Sequence, residues 1–165
     1  MRIPALAAAL PLAACTSVSL PADAGAQLDP VAFFSGQSHG DGQLHQLFAS
    51  PKATRVDSTG HRSSAGGLLL TQTIAQEGKR TRIRQWVMQP FGPGRYTGTL
   101  TEAVGPVTLA VTGPRADIRY RMMGGLSVHQ QLALQPDGRT LLNHLEVSKR
   151  GMRVAFLDET IRKLP

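Results

Sequence analysis

From Gly36 onward the chain is divided into short alternating runs by turn residues, roughly every 10–12 positions, and that spacing leaves little room for helices. Alternation places successive side chains on opposite faces of a strand. The runs predict strands at 43–49, 53–58, 68–76, 81–89, 95–101, 107–112, 116–122, 127–135, 140–148 and 153–163. Between them stand turn signals such as Ser50-Pro51, Gly66-Gly67, Gly105-Pro106, Gly113-Pro114 and Pro136-Asp137-Gly138. Asp and Gly accept the positive φ angles of a tight hairpin. A parallel crossover needs about a dozen residues, so connections this short pair neighbouring strands antiparallel. Left open, such a sheet would expose two unpaired edges, and closure removes them. The expected fold is therefore all-β, an antiparallel up-and-down barrel of about eight to ten strands. It occupies 29–165 as one domain. Asp29-Pro30 reads as a helix cap followed by proline at the first helical position. Leu28, Val31, Phe33 and Phe34 would make that short helix a plug on the body.

Faces are legible in several strands. Ala116, Ile118, Tyr120 and Met122 fall on one side, with Arg115, Asp117, Arg119 and Arg121 on the other. Leu126, Val128, Leu132 and Leu134 separate in the same way from Ser127, His129, Gln131 and Gln135. Leu141, Leu145 and Val147 oppose His144, Glu146 and Ser148. This is one-sided burial, and much of the net charge of +7 is then the wet side of the barrel.

The N-terminus speaks to compartment. Arg2 precedes an apolar run from Ile3 to Ala14, too short for a permanent span and suited to a cleavable export signal. It ends in Leu12-Ala13-Ala14-Cys15, which resembles a bacterial lipobox, and Cys15 is the only cysteine in the chain. The expectation is a signal peptide over 1–14, lipid attachment at Cys15 and a flexible tether over 15–28. Ala24-Gly25-Ala26 offers the alternative of cleavage after Ala26 and a soluble periplasmic protein. In a diderm bacterium, Thr16 in place of Asp after the cysteine favours the outer membrane, facing the periplasm.

Several short segments, taken in order, resemble one family. They are Phe33-Phe34-x-Gly36, Arg84-x-Trp86, Tyr96-x-Gly98-Thr99, Tyr120, and Asn143 through Ser148-Lys149-x-Gly151-x-Arg153-Val154. Together they resemble the domain-of-unknown-function 3833 family of bacterial lipoproteins. The resemblance implies an envelope lipoprotein with a lipocalin-like barrel and brings no catalytic or ligand residues. One segment departs: where an acidic Asp-Asp-Trp-Met-like stretch would stand, this chain has Gln131-Leu132-Ala133-Leu134-Gln135. Nothing resting on those carboxylates carries over.

Catalytic constellations are not found. There is no Gly-x-Ser-x-Gly elbow. His39-Gly40-Asp41-Gly42 reads as a flexible turn entering the first strand, and the five histidines lack metal-ligand spacing. Asp158-Glu159 must send one carboxylate inward, where an arginine would partner it. No catalytic residue, metal or cofactor is expected, and export argues against a nucleic-acid partner.

The most informative constellation is Arg80-Thr-Arg82-Ile-Arg84-Gln-Trp86, where period two aligns three arginines with the only tryptophan. Its charge, with Ile83 and Val87 on the opposite face, reads first as a basic stripe on the outer wall. The bulk of a lone tryptophan favours the inside. There, Arg82 or Arg84 would grip a carboxylate or phosphate bidentately beside a cavity lined by Trp86 and Tyr120. The candidate ligand residues are accordingly Arg82, Arg84, Trp86, Tyr96, Tyr120 and Met122. The expected function is a non-enzymatic, lipid-anchored binding protein holding a small apolar or anionic ligand, such as a fatty acid or lipid. The alternative is a structural lipoprotein with a filled core, acting on the envelope through its basic outer surface.

Overall fold

A computed structural model describes residues 20–21 and 25–165 of the chain; the apolar run and Cys15 lie outside the described residues. Asp29 caps the first element as its side chain dictates, with Oδ1 accepting the Ala32 N–H at 3.0 Å. Helix α1 then runs Pro30–Phe34. Ten strands follow: β1 (Gly36–Gln46), β2 (Lys52–Arg62), β3 (Leu68–Gln76), β4 (Arg82–Pro90) and β5 (Arg95–Leu100), then β6 (Val107–Thr112), β7 (Arg115–Met122), β8 (Leu126–Leu134), β9 (Thr140–Lys149) and β10 (Met152–Lys163). Each pairs antiparallel with its chain neighbour, and β10 pairs with β1 to close the ring. The up-and-down barrel is thus complete, and no edge is left to recruit another chain.

β1 starts at Gly36 rather than at residue 43, so the segment expected as a flexible turn at His39–Gly42 is strand, paired on both sides. The reason is tertiary. The Glu159 side chain lies over this part of β1, so a Cβ at Gly40 would overlap its carboxylate. One at Gly42 would come within 2.9 Å of the Glu159 Cβ. Glycine here serves close approach and not a turn.

The inward faces of β7, β8 and β9 are those the alternation implies, with Ala116, Ile118, Tyr120, Val128, Leu132 and Leu141 buried. Arg119 and Arg121 of β7 face solvent. The outer face of β7 is thus polar, while that of β3 and β4 exposes Leu69, Ile83 and Val87. No helix among the described residues is long and apolar enough to cross a membrane.

One end of the barrel is closed. Val31, Phe33 and Phe34 of α1 join Leu28 in the core cluster, and the Leu28 N–H donates to the Gly113 carbonyl at 2.9 Å. Gly60 of β2 lies flat under the plug, where a Cβ would overlap the Phe34 carbonyl oxygen. The Lys163 ammonium locks the arrangement, donating to the carbonyls of Ala32, Phe33 and Ser35 at 3.0, 2.8 and 2.6 Å. A cation at a helix C-terminus satisfies carbonyls that have no helical partner. Lys163→Met is therefore expected to lower stability by about 1–2 kcal/mol, read from the midpoint of urea unfolding. Among the described residues, every buried core residue lies at Leu28 or later, so the body from Ala26 onward carries its own core.

Candidate functional site

Above the plug the barrel is hollow. A cavity of about 910 Å³ runs from Phe34 to the opposite end, where Leu47, Phe48, Lys79 and Arg80 surround its mouth. That volume lies within the range of small-molecule pockets, roughly 300–1,000 Å³. Its walls are mainly apolar, among them Val56, Leu70, Trp86, Ile118, Val128 and Leu145. A filled interior, the premise of the alternative function, is not what the chain builds.

β4 supplies the most polar stretch of wall, and its stripe is not the outer-wall feature that charge alone implies. Trp86 and Met88 are buried while Ile83 is 65% exposed, so the inward face carries Arg82, Arg84 and Trp86. The deciding term is the burial of the two large side chains near the closed end. Toward the mouth, open space leaves Arg82 half solvated, while Arg84 is largely buried. Arg84 has a partner as well: its Nε–H donates to both Glu102 oxygens, at 3.0 and 2.9 Å, and Arg82 Nε lies 3.7 Å from the same carboxylate. Glu102 sits just beyond Leu100, which pairs with Trp86 across the β4–β5 ladder. Deeper in, the Trp86 indole N–H donates to Gln72 Oε1 at 2.7 Å and Gln72 donates to Ser58 Oγ at 3.1 Å. The Trp86 and Tyr120 rings meet edge to face at 5.8 Å. Burial raises the Tyr120 pKa, so its hydroxyl stays protonated and able to donate.

A second polar group lies on β8, β9 and β10. Asn143 Nδ2 donates to Glu159 Oε2 at 2.7 Å. Thr54, Gln130 and Asn143 contribute to the cavity wall, while Gln130 Oε1, Asn143 Oδ1 and Thr54 Oγ1 are buried within that wall without a hydrogen-bond partner among the described residues. Glu159 does point inward, but its hydrogen bond comes from Asn143 and not from an arginine. Asp158 points outward and holds His144 Nδ1 at 2.6 Å.

Burial pushes the Glu159 pKa up, against the opposing pull of the Asn143 hydrogen bond and of Arg84. The folded protein then binds this proton more tightly than the unfolded chain. The stability involved is fully present below the ordinary carboxylate range and is lost as pH rises through the raised value. Glu159→Gln is expected to remove that slope, melting above wild type at neutral pH and alongside it in acid. Melting curves across the pH range check it.

Of the candidate residues, Arg82, Arg84, Trp86, Tyr120 and Met122 line the cavity together. Tyr96 does not. β5 begins at the closed end, so position 96 packs against the core near Asp29, and burial followed by that carboxylate raises its pKa. Gln72, Glu102, Gln130 and Asn143 were not expected in the site, whereas an inward carboxylate from Asp158-Glu159 was. Gln130 and Asn143 did leave a signal, since each interrupts an apolar face, between Val128 and Leu132 and between Leu141 and Leu145. The histidines lie elsewhere: His39 is shared by Asp57 and Asp41 at 2.6 and 3.2 Å, and His129 pairs with Asp117 at 2.6 Å. No group of three metal-ligating side chains occurs among the described residues.

Comparison with solved structures places this barrel beside the S-type phycobiliprotein lyase CPES from Guillardia theta. The TM-score is 0.65 at 6% identity, over 82% of this chain and 90% of that one. A protein of unknown function from the DUF3598 family of Nostoc punctiforme superposes with a TM-score of 0.64 at 11% identity, over 84% of this chain and 50% of that one. At such identities the likeness establishes a shared lipocalin-like barrel and nothing about ligands. No curated protein matches the sequence. The sequence profile described as "Protein of unknown function (DUF3833)" matches residues 9–163, nearly the whole chain, and the chain therefore belongs to the DUF3833 family.

Proposed function

We propose that this protein is an exported, non-enzymatic binding protein that holds one amphiphile, a fatty acid or lipid, inside the barrel. The hollow apolar interior with Arg82 and Arg84 turned into it carries the reading. An acyl chain would fill the space between Trp86, Ile118 and Leu145. Its acid group would meet the Arg84 guanidinium, whose Nε is held by Glu102 while its two terminal nitrogens are not engaged by that bond. Glu102 orients the arginine and lowers the charge that an empty cavity must carry.

Export by the N-terminal signal, acylation at Cys15 and residence at the outer membrane facing the periplasm complete the proposal; cleavage after Ala26 is the alternative processing. Native mass spectrometry of protein extracted from its own membranes separates the two by covalent mass. The binding test uses the single tryptophan, which lies in the cavity wall. Titration with oleate should shift Trp86 emission saturably, and oleyl alcohol should bind more weakly. Replacing Arg82 and Arg84 by Gln should weaken oleate about tenfold, the scale of one charge-assisted hydrogen bond, and leave the alcohol unchanged. Emission that responds to neither lipid would overturn the reading.

A further inference from the structure

The mouth of the barrel is unlike its other surfaces. Five connections lie at this end, and four of them present large apolar side chains to solvent: Leu47 and Phe48 between β1 and β2, Val104 between β5 and β6, Met123 between β7 and β8, and Met152 at the start of β10. Phe48 is 98% exposed, Met123 80% and Met152 71%. The fifth connection, between β3 and β4, carries Lys79 and Arg80, and the β9–β10 hairpin adds Lys149 at the end of β9 and Arg150 in the turn. None of these four cations takes part in an ion pair among the described residues. The acids of the same connections are already engaged, Glu77 with Lys52 at 3.9 Å and Glu102 with Arg84 at 2.9 Å. Toward the opposite end, Phe91 and Leu164 are exposed, with Leu69 and Val87 partly exposed on the adjoining outer wall.

Backbone geometry points to the same end. Among the described residues, two that are not glycine adopt positive φ, Phe48 at 62° and Arg150 at 50°. A bulky residue in the left-handed region is strained, and glycine would suit the Phe48 position better for folding alone. The fold thus tolerates strain to hold an aromatic ring in solvent at one tip and an arginine at another.

We propose that this open end docks on an anionic lipid bilayer, with the apolar tips entering the interfacial zone and the four cations lying among the headgroup phosphates. Separate apolar side chains flanked by snorkelling cations suit such a surface. A bilayer also fits better than a protein partner. The tips ring an opening, so a rigid protein would have to bridge a hole, whereas lipid deforms around each tip. Docked this way, the cavity mouth faces the membrane directly. The proposal does not depend on what the cavity holds.

The test uses the body from Ala26 onward, which lacks Cys15 and the apolar N-terminal run. It should co-sediment with vesicles of phosphatidylcholine containing phosphatidylglycerol, much less with phosphatidylcholine alone, and release as salt rises. Phe48→Ser with Met152→Ser should weaken binding about tenfold or more, given the apolar area withdrawn. Ile83→Ser on the outer wall should leave it unchanged, which separates the rim from the rest of the barrel surface. Phe48→Cys gives a unique labelling site, and an environment-sensitive dye there should shift to the blue on the anionic vesicles. Binding to neither vesicle, or binding indifferent to the Phe48 and Met152 changes, would overturn the proposal. So would self-association that Phe48→Ser abolishes in the absence of any vesicle binding, since the rim would then be a protein interface.

Discussion

Trp86→Ala is expected to cost about 3–5 kcal/mol, near the top of what one side chain contributes in a core. The ring is buried against Tyr120 and donates to Gln72, so its removal loses apolar burial, an edge-to-face contact and a hydrogen bond together. The space left joins the existing cavity, and water entering from the mouth can satisfy Gln72, which keeps the cost toward the lower part of that range. Trp86→Phe separates the contributions: the ring stays, the N–H goes, and about 1 kcal/mol is expected. Urea unfolding followed by far-ultraviolet circular dichroism checks both, because the variants lose the fluorophore. Calorimetric titration with oleate should show weaker binding for Trp86→Ala, since the acyl chain loses a wall.

Gly60→Ala should be nearly as damaging, at about 3 kcal/mol, for the opposite reason. Here the added methyl meets the Phe34 carbonyl, which is backbone and cannot swing away as a side chain would. Either β2 bends outward or the plug lifts. Lifting α1 strains the three carbonyls bound by Lys163 and opens the floor of the cavity. The measurement is the unfolding midpoint together with acrylamide quenching of Trp86, which should rise as water gains a second entry. Gly40→Ala makes the informative comparison. Its clash is with the end of the Glu159 side chain, which can move, so a smaller loss is expected.

The same contrast shows how far the sequence reaches. Period-two alternation and turn chemistry are local, so the residues by themselves locate β2 to β10 and the last residues of β1, their antiparallel order and the inward faces of β7 to β9. The Asp29-Pro30 start of α1 is equally local, a cap and a preset φ angle. Closure follows from the strand number, because an open sheet leaves edges.

What a glycine or a charged stripe does depends on what stands across from it. Gly40 and Gly42 look like a turn until Glu159, far away in sequence, is laid over them. Likewise, an alternating arginine stripe has two faces open to it. The choice falls on the burial of Trp86 and Met88, and on Glu102 arriving from the next hairpin to pair with Arg84. Tyr96 shows the same dependence in reverse, since its strand position is legible while its height in the barrel puts it beside the plug and not the cavity. Strand periodicity thus comes from the residues alone, through the geometry of the extended backbone. Whether the interior is hollow, and which polar groups it holds, is set by packing between strands far apart in the chain, where side-chain volume and the cost of an unpaired charge decide.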